Sequence, residues 1–554
     1  MHPTARLRAS LNEKSIRFAA GNLLRPVVIP ERVTGTKHKS APAFTITRER
    51  GFLPREDPIK SLPSAFKAVE SLLDRMTIHQ PNGTDGLLAL GQFGDAVTSE
   101  LRGLNLEHEV NKVIESNDQL LISALFRDYC FLTSAYLLEP VDIAFRQTGE
   151  YFPGRSILPK ELARPMAALA EKLNQFPFME YASSYALQNW ARINENGRIH
   201  YDNLRLIRAF EDFSGSEKGF ILVHVDMVAH SGQLVSAAED AIAAANNNDR
   251  DAFNNALSRL HKTYRLINNS METMWGRSKP ADYLKFRSFI FGTAPKADNP
   301  MFPNGVIYEG VGDEKPTHFR GESGANDSMI PLGDNLLEIT AKLPDNELTK
   351  VLRDFRQYRP MTQREYIASV EVRATEAKVK EFAFADPKSL AFYILNTDQI
   401  REFRDRHWRF TKEYIIRRSS YGLATGGSPI LKYLPQNLSI VVSVLDEACN
   451  ALPSSQVLLS KGMDEEIVKS VEECRQRSEI QKRVLDREME VWQIVDEQKK
   501  TESLRTSGTG DSKLGFYKRR SSNSKVMEDT SFAEIDMGEK KRLQRGSVGS
   551  DRGG

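Results

Sequence analysis

The stretch Arg401-Glu402-Phe403-Arg404-Asp405-Arg406-His407-Trp408-Arg409-Phe410 sets one histidine in the middle of a basic, aromatic-containing helix. An imidazole held in this way can ligate iron while nearby arginines face anionic groups, which suits a haem protein. The same composition also describes a solvated helical face, the commoner setting of a lone helical histidine. What separates the two is whether other segments supply the rest of a pocket. Lys218 to His230 is apolar through its first half and then takes His224, one turn after Phe220 and on the same face. Burying an imidazole costs free energy unless it is paired, so His224 either bonds to backbone or faces a polar ligand. Arg287 is embedded among the aromatics of Tyr283 to Gly292. A guanidinium there needs an anionic partner, and its planar fork fits a carboxylate, whether of a ligand or of an internal salt bridge. The small residues within Phe319 to Ser328 let backbone approach a flat ligand closely.

The elements that must position these side chains read as helices. Apolar residues recur at three- and four-residue spacing over Leu120–Leu138, Pro165–Phe176, Tyr181–Ile193, Gly219–Ala245, Asp251–Met271 and Leu395–Ile416, and few runs alternate with the period of a strand. The expected fold class is all-α. Glycine and proline gather in Gly292–Gly312, Gly321–Gly333 and Gly422–Pro435, and loops of that length in a helical protein carry function or lack order. A chain of 554 residues can hold a large core and more than one domain. The expected division is a flexible basic leader over 1–45, a small helical domain over 46–172, a large helical domain over 173–440, an amphipathic helical extension over 441–500 and a disordered tail over 501–554.

Composition narrows the function classes. A formal net charge of +2 gives no argument for nucleic acid as a partner. Cys130, Cys449 and Cys474 are far apart and show no metal-ligand spacing, so neither a disulfide scaffold nor a zinc site is expected, and a reducing compartment fits. No uninterrupted apolar run approaches the roughly 18 residues that span a bilayer, so no membrane span is expected. Met1 to Pro30 carries Arg6, Arg8, Lys14, Arg17 and Arg25 against one acid, Glu13. A cytoplasmic location is expected, with mitochondrial import as the alternative if this leader is a transit peptide. Asp464 to Lys500 reads as a charged amphipathic helix whose apolar positions drift too much for a coiled coil. A solvated helix on a monomer is the expectation for 464–500, and partner or self-association through it is the alternative.

Taken in order, Gly51-Phe52-Leu53-Pro54, Asn189-Trp190, Lys218-Gly219-Phe220, Arg287, Gly305 to Gly310, Gly321 to Ser328, His407 and Thr425-Gly426-Gly427-Ser428 closely resemble the indoleamine 2,3-dioxygenase family, its fungal members above all. The resemblance implies a two-domain helical fold holding one haem b. It implies that His407 is the proximal iron ligand and that Asp334 and Arg404 brace the helix carrying it. Arg287 would bind the tryptophan carboxylate, Phe220 and Tyr283 would pack on the indole, and His224 would take the distal position. There His224 could exchange a hydrogen bond with the indole N–H or the oxygen. Ser323 and Gly324 would lie in the loop over a haem propionate and the substrate, and Gly427 and Ser428 in a loop closing over the substrate amino group.

The implied activity is cleavage of the indole C2–C3 bond of L-tryptophan, or a related indoleamine, by O2 to give N-formylkynurenine. Ferrous iron would be the working state, an unidentified reductant a partner, and the kynurenine route to NAD the setting. The alternative is a non-catalytic haem protein of the same fold that binds or senses oxygen. Two residues depart from the family pattern. Asp282 stands where an aromatic is frequent and could pair with Arg287, weakening its hold on substrate. Glu322 stands where glycine is common in the animal enzymes.

Overall fold

Aspartates start three long helices of the core. Asp118 accepts the Leu121 amide at the head of a helix over Gln119–Thr148, Asp249 accepts that of Ala252 before Arg250–Glu272, and Asp386 accepts that of Ser389 before Pro387–Thr411. Each supplies one of the bonds that the first turn of a helix cannot make for itself. Pro387 occupies the first helical position, where its missing N–H costs nothing. The computed structural model describes residues 29–35, 38–294, 299–321, 327–339, 354–418 and 430–507, with side chains described over 434–490 in the last stretch.

The helices used below are α1 (Gln119–Thr148), α2 (Ser216–Val228), α3 (Ser231–Asn246), α4 (Arg250–Glu272), α5 (Tyr283–Arg287), α6 (Met329–Leu336), α7 (Met361–Glu376), α8 (Pro387–Thr411), α9 (Ile430–Ala451) and α10 (Glu465–Ser507). Strands are few among the described residues. Trp190–Arg192 pairs antiparallel with Leu204–Leu206, and Ile157–Leu158 pairs parallel with Ile307–Tyr308. The all-α expectation therefore holds. A contiguous apolar core runs from Ala43 to Cys474, with α4 packed against α2, α3 and α8, and α8 against α9. Residues through Met489 form one compact unit, and Glu490–Gly554 is a second.

Several local expectations need correction. Tyr181–Ile193 is not one helix: a π-helical turn over Tyr181–Leu187 gives way to the strand Trp190–Arg192. Asn189 causes the switch, since its side chain accepts the Arg208 amide at 2.7 Å and donates to the Arg208 carbonyl at 2.9 Å, tying this segment to a distant one. Gly219–Ala245 is two helices rather than one, divided at Ala229–His230. The Gly321–Gly333 loop already contains the start of α6, and α9 begins at Ile430 and passes through Pro435. The final helix ends at Ser507 rather than near Lys500. Gln119–Thr148 and Ser216–Asn246 are long and apolar enough to cross a bilayer by length and composition, and most of each is buried within the protein.

A charged cluster lies under the N-terminal part of the core. On α1, Asp128 is fully buried and pairs with Arg127 at 2.7 Å and with Arg208 at 3.0 Å. Arg127 also donates to the carbonyls of Ile59 and Gln188. Three separate segments are thereby pinned to α1.

Candidate functional site

Helix α8 presents His407 half-buried, its ring nitrogens making no hydrogen bond among the described residues. Burial, then the neighbouring Arg404 cation, push its imidazole down to about 4. The ring is therefore neutral at pH 7, with a lone pair available to a metal. Arg404, one turn earlier, reaches 2.6 Å to Asp334 on α6. Burial pushes the Asp334 carboxyl up, and Arg404, Arg356 and Arg359 pull against that shift. The second Asp334 oxygen has no partner among the described residues. Helix α6 gets this close to α4 because Gly333 has no side chain: a Cβ there would lie 2.2 Å from the Tyr264 hydroxyl, which donates to the Met329 carbonyl at 2.9 Å. The Asp334–Arg404 pair thus joins α6 to α8.

The C-terminal helix supplies a second brace. Glu488 on α10 accepts the Trp408 indole N–H at 2.8 Å and an Lys412 N–H at 3.1 Å, so it grips α8 on both sides of the turn after His407. Gln481 bridges Arg401 and Asp405 at 2.6 and 2.8 Å, and Leu485 joins Leu438 and Val442 of α9 in a small apolar cluster. The expectation of a solvated helix over 464–500 is corrected here. Through Glu488 its buried face is taken up by the protein's own α8 and α9. Replacing Glu488 by Ala leaves the Trp408 N–H buried without its acceptor, and should lower unfolding stability by about 1–3 kcal/mol in a denaturant titration.

Across the core, α2 carries Phe220 and His224. Gly219 allows α2 to lie against the Arg277–Ser278 backbone, where a Cβ would meet the Arg277 carbonyl oxygen at 1.8 Å. Phe220 meets Tyr181, Tyr283 and Phe286 at centroid distances of 5.8, 5.4 and 5.7 Å, and Tyr181 lies 4.9 Å from the His224 ring. Tyr414, seven residues beyond His407 in the π turn that continues α8, meets Tyr283 at 5.7 Å and donates its hydroxyl to the Ser278 carbonyl. The aromatic cluster and the His407 helix are one connected assembly. His224 Nε2 lies 3.0 Å from Asp327 Oδ2, a partner the sequence did not suggest.

Arg287 is brought only partly into this assembly. It is 0% exposed, near the Tyr151 hydroxyl, whose pKa its charge pulls down against the rise from burial, and set over the Phe291 ring at 4.9 Å, while its α5 neighbours Tyr283 and Phe286 face Phe220. Asp282 does not pair with it. That carboxylate lies 2.8 Å from Lys285 and accepts the Ser216 hydroxyl at 3.0 Å, and the Lys285 bond chiefly holds its pKa below the usual range. Ser323, Gly324, Glu322, Gly427 and Ser428 lie outside the described residues.

Tyr181, Asp327, Tyr414 and Glu488 were missed. Tyr414 was findable, seven positions from His407 and so on nearly the same helical face. The others reach the site from remote segments, and no spacing in the chain announces them.

Comparison with known proteins adds a family. The model described as "Indoleamine 2,3-dioxygenase" matches residues 40–520. The chain is 28% identical to indoleamine 2,3-dioxygenase 1 of Rattus norvegicus over 229 residues, which covers 41% of this chain and 54%, about half, of the rat protein. It is 28% identical to indoleamine 2,3-dioxygenase 2 of Mus musculus, over 52% of this chain and 72% of the mouse protein. With indoleamine 2,3-dioxygenase nanC of Aspergillus nanangensis the identity is 23%, over 71% of this chain and 94% of the fungal protein.

Proposed function

Because the chain belongs to the indoleamine 2,3-dioxygenase family, we propose that it inserts both atoms of O2 across the indole C2–C3 bond of L-tryptophan, forming N-formylkynurenine. The observation that carries this reading is His407: a neutral imidazole without a protein partner among the described residues, on a helix braced from both sides. The donor set fits haem b rather than a bare ion. Among the described residues no group of three His, Cys, Asp or Glu could hold a metal, and His407 would serve as a single protein ligand to a haem iron. When bound, ferrous haem b supplies the iron at which O2 is activated.

The protein's own part is placement. Indole is electron-rich and needs no strong base, so catalysis rests on holding it dry and oriented. Phe220, Tyr181 and Tyr283 offer ring faces for the indole and keep water away. His224 handles a polar edge of the substrate. Arg287 takes the substrate carboxylate. Arg404, paired with Asp334, would brace the helix that carries His407. The resemblance would put Ser323 and Gly324 over a haem propionate and the substrate, and Gly427 and Ser428 over the substrate ammonium, all four outside the described residues. The non-catalytic alternative drew its support from Asp282 opposing the carboxylate clamp, and Asp282 is instead engaged by Lys285 and Ser216.

The test is direct. Haem-loaded protein, reduced under air with L-tryptophan, should accumulate N-formylkynurenine; a normal haem spectrum without product would overturn the assignment in favour of oxygen binding alone. Arg287→Gln should raise KM roughly 10- to 100-fold, as expected for losing a hydrogen bond between charged groups, with a smaller change in kcat. Steady-state kinetics read both, and an unchanged KM would remove Arg287 from the substrate site.

A further inference from the structure

His224 and Asp327 form a buried pair, 4% and 6% exposed, on the aromatic side of the assembly. The two oxygens of Asp327 have separate tasks: Oδ1 accepts the Met329 backbone N–H at 2.8 Å, and Oδ2 faces His224 Nε2 at 3.0 Å. Its carbonyl oxygen accepts from Arg359 Nη2 at 2.9 Å. Burial and then Arg356 push the Arg359 guanidinium down to about 9, so it is still cationic at neutral pH, and its charge faces that of Asp327. With that cation present, balancing the carboxylate does not require a charged His224. The other ring nitrogen, Nδ1, is buried and has no hydrogen-bond partner among the described residues.

We propose that Asp327 is a positioning residue that fixes His224 as its Nε2–H tautomer, making Nδ1 a hydrogen-bond acceptor that selects ligands presenting an N–H. A carboxylate can only accept, so the proton between the two groups sits on Nε2. A buried acceptor without a donor costs free energy that a ligand N–H recovers. The inference rests on the proposed function for the identity of that ligand, where the donor is the indole N–H. Sequence alone left His224 free to donate or accept; Asp327 decides between the two.

Asp327→Asn inverts the arrangement without changing its shape. The Met329 amide needs the oxygen of the new side chain, so the NH2 group turns to Nε2. The imidazole must then accept at Nε2 and carry its proton on Nδ1, where it becomes a donor.

Two measurements test this. The first is 15N correlation spectroscopy at pH 8 on histidine-labelled, haem-loaded protein as its diamagnetic ferrous carbon monoxide complex, with the His224 signals assigned by their loss in His224→Gln. The Nε2–H tautomer is expected, and an Nδ1–H or doubly protonated ring would overturn the proposal. The second is equilibrium binding of L-tryptophan and of its benzofuran analogue, in which oxygen replaces the N–H. Wild type should prefer tryptophan by at least about tenfold, and Asp327→Asn should abolish or reverse that preference. Equal weakening of both ligands means a merely structural pair and sinks the idea. If Asp327→Asn does not fold, the wild-type tautomer decides. If wild type binds neither ligand yet shows the Nε2–H form, the tryptophan reading fails and the tautomer assignment stands.

Discussion

His407→Ala should abolish haem retention while leaving the haem-free fold intact. The imidazole makes no hydrogen bond among the described residues and its burial disfavours its charged form, so the polypeptide gains little from it. On the proposed function its role is toward the iron. Losing a partner that merely supports a ligand costs roughly 10–100-fold in metal affinity, and losing the ligand itself should cost more than that. Absorption spectroscopy after gel filtration reads retention, and a thermal melt of the haem-free protein reads the fold. Normal haem content and axial ligation in the variant would contradict the assignment. Asp334→Asn, which removes the charge holding Arg404, should fall within the roughly 10–100-fold range instead.

Asp128→Ala should produce the opposite pattern, a loss of fold with no direct effect on chemistry. Burial works against the Asp128 carboxylate, but Arg127 and then Arg208 outweigh it and hold its pKa below the usual range. Removing it leaves the buried Arg127 without its carboxylate and Arg208 with only Asp74 and Glu70, at 3.3 and 3.4 Å, and should cost about 3–5 kcal/mol, measurable as a lower denaturant midpoint. The pH dependence follows from the same pair. With the native pKa depressed, the unfolded chain takes up a proton first. The contribution of Asp128 is therefore fully present at neutral pH and is lost as pH falls below about 4. A variant as stable as wild type would show that the cluster contributes nothing net.

Periodicity was enough where a helix buries one continuous face. Helix α4 follows from apolar residues at three- and four-residue spacing, whereas α1 is buried on every side from Ile122 to Ala135; the aspartate caps of both are visible one residue upstream. His407 was ambiguous by itself, since a solvated face is the commoner setting of a lone helical histidine, and the ordered matches elsewhere in the chain singled it out. Periodicity failed where a remote contact overrode it. Asn189 commits its amide to Arg208, which bends Tyr181–Ile193 out of a helix and brings Tyr181 toward His224. Asp327 lies 103 residues from its imidazole partner. The drifting apolar register of α10 looked too irregular to pair, and the reason is its surroundings: it docks on two non-identical helices, not on a copy of itself. Asp282 shows the limit of reading a substitution by position alone, since Ser216, a residue remote in sequence, helps decide where its charge goes.

The clasp of Glu488 on Trp408 spans 80 residues of chain. A ribosome that has just released His407 has therefore not yet made the residue that completes the support of its helix. On the proposed function, the turn that would bind iron gains its full support only once Glu488 has been made, so a nascent chain stalled before Glu488 should retain haem poorly.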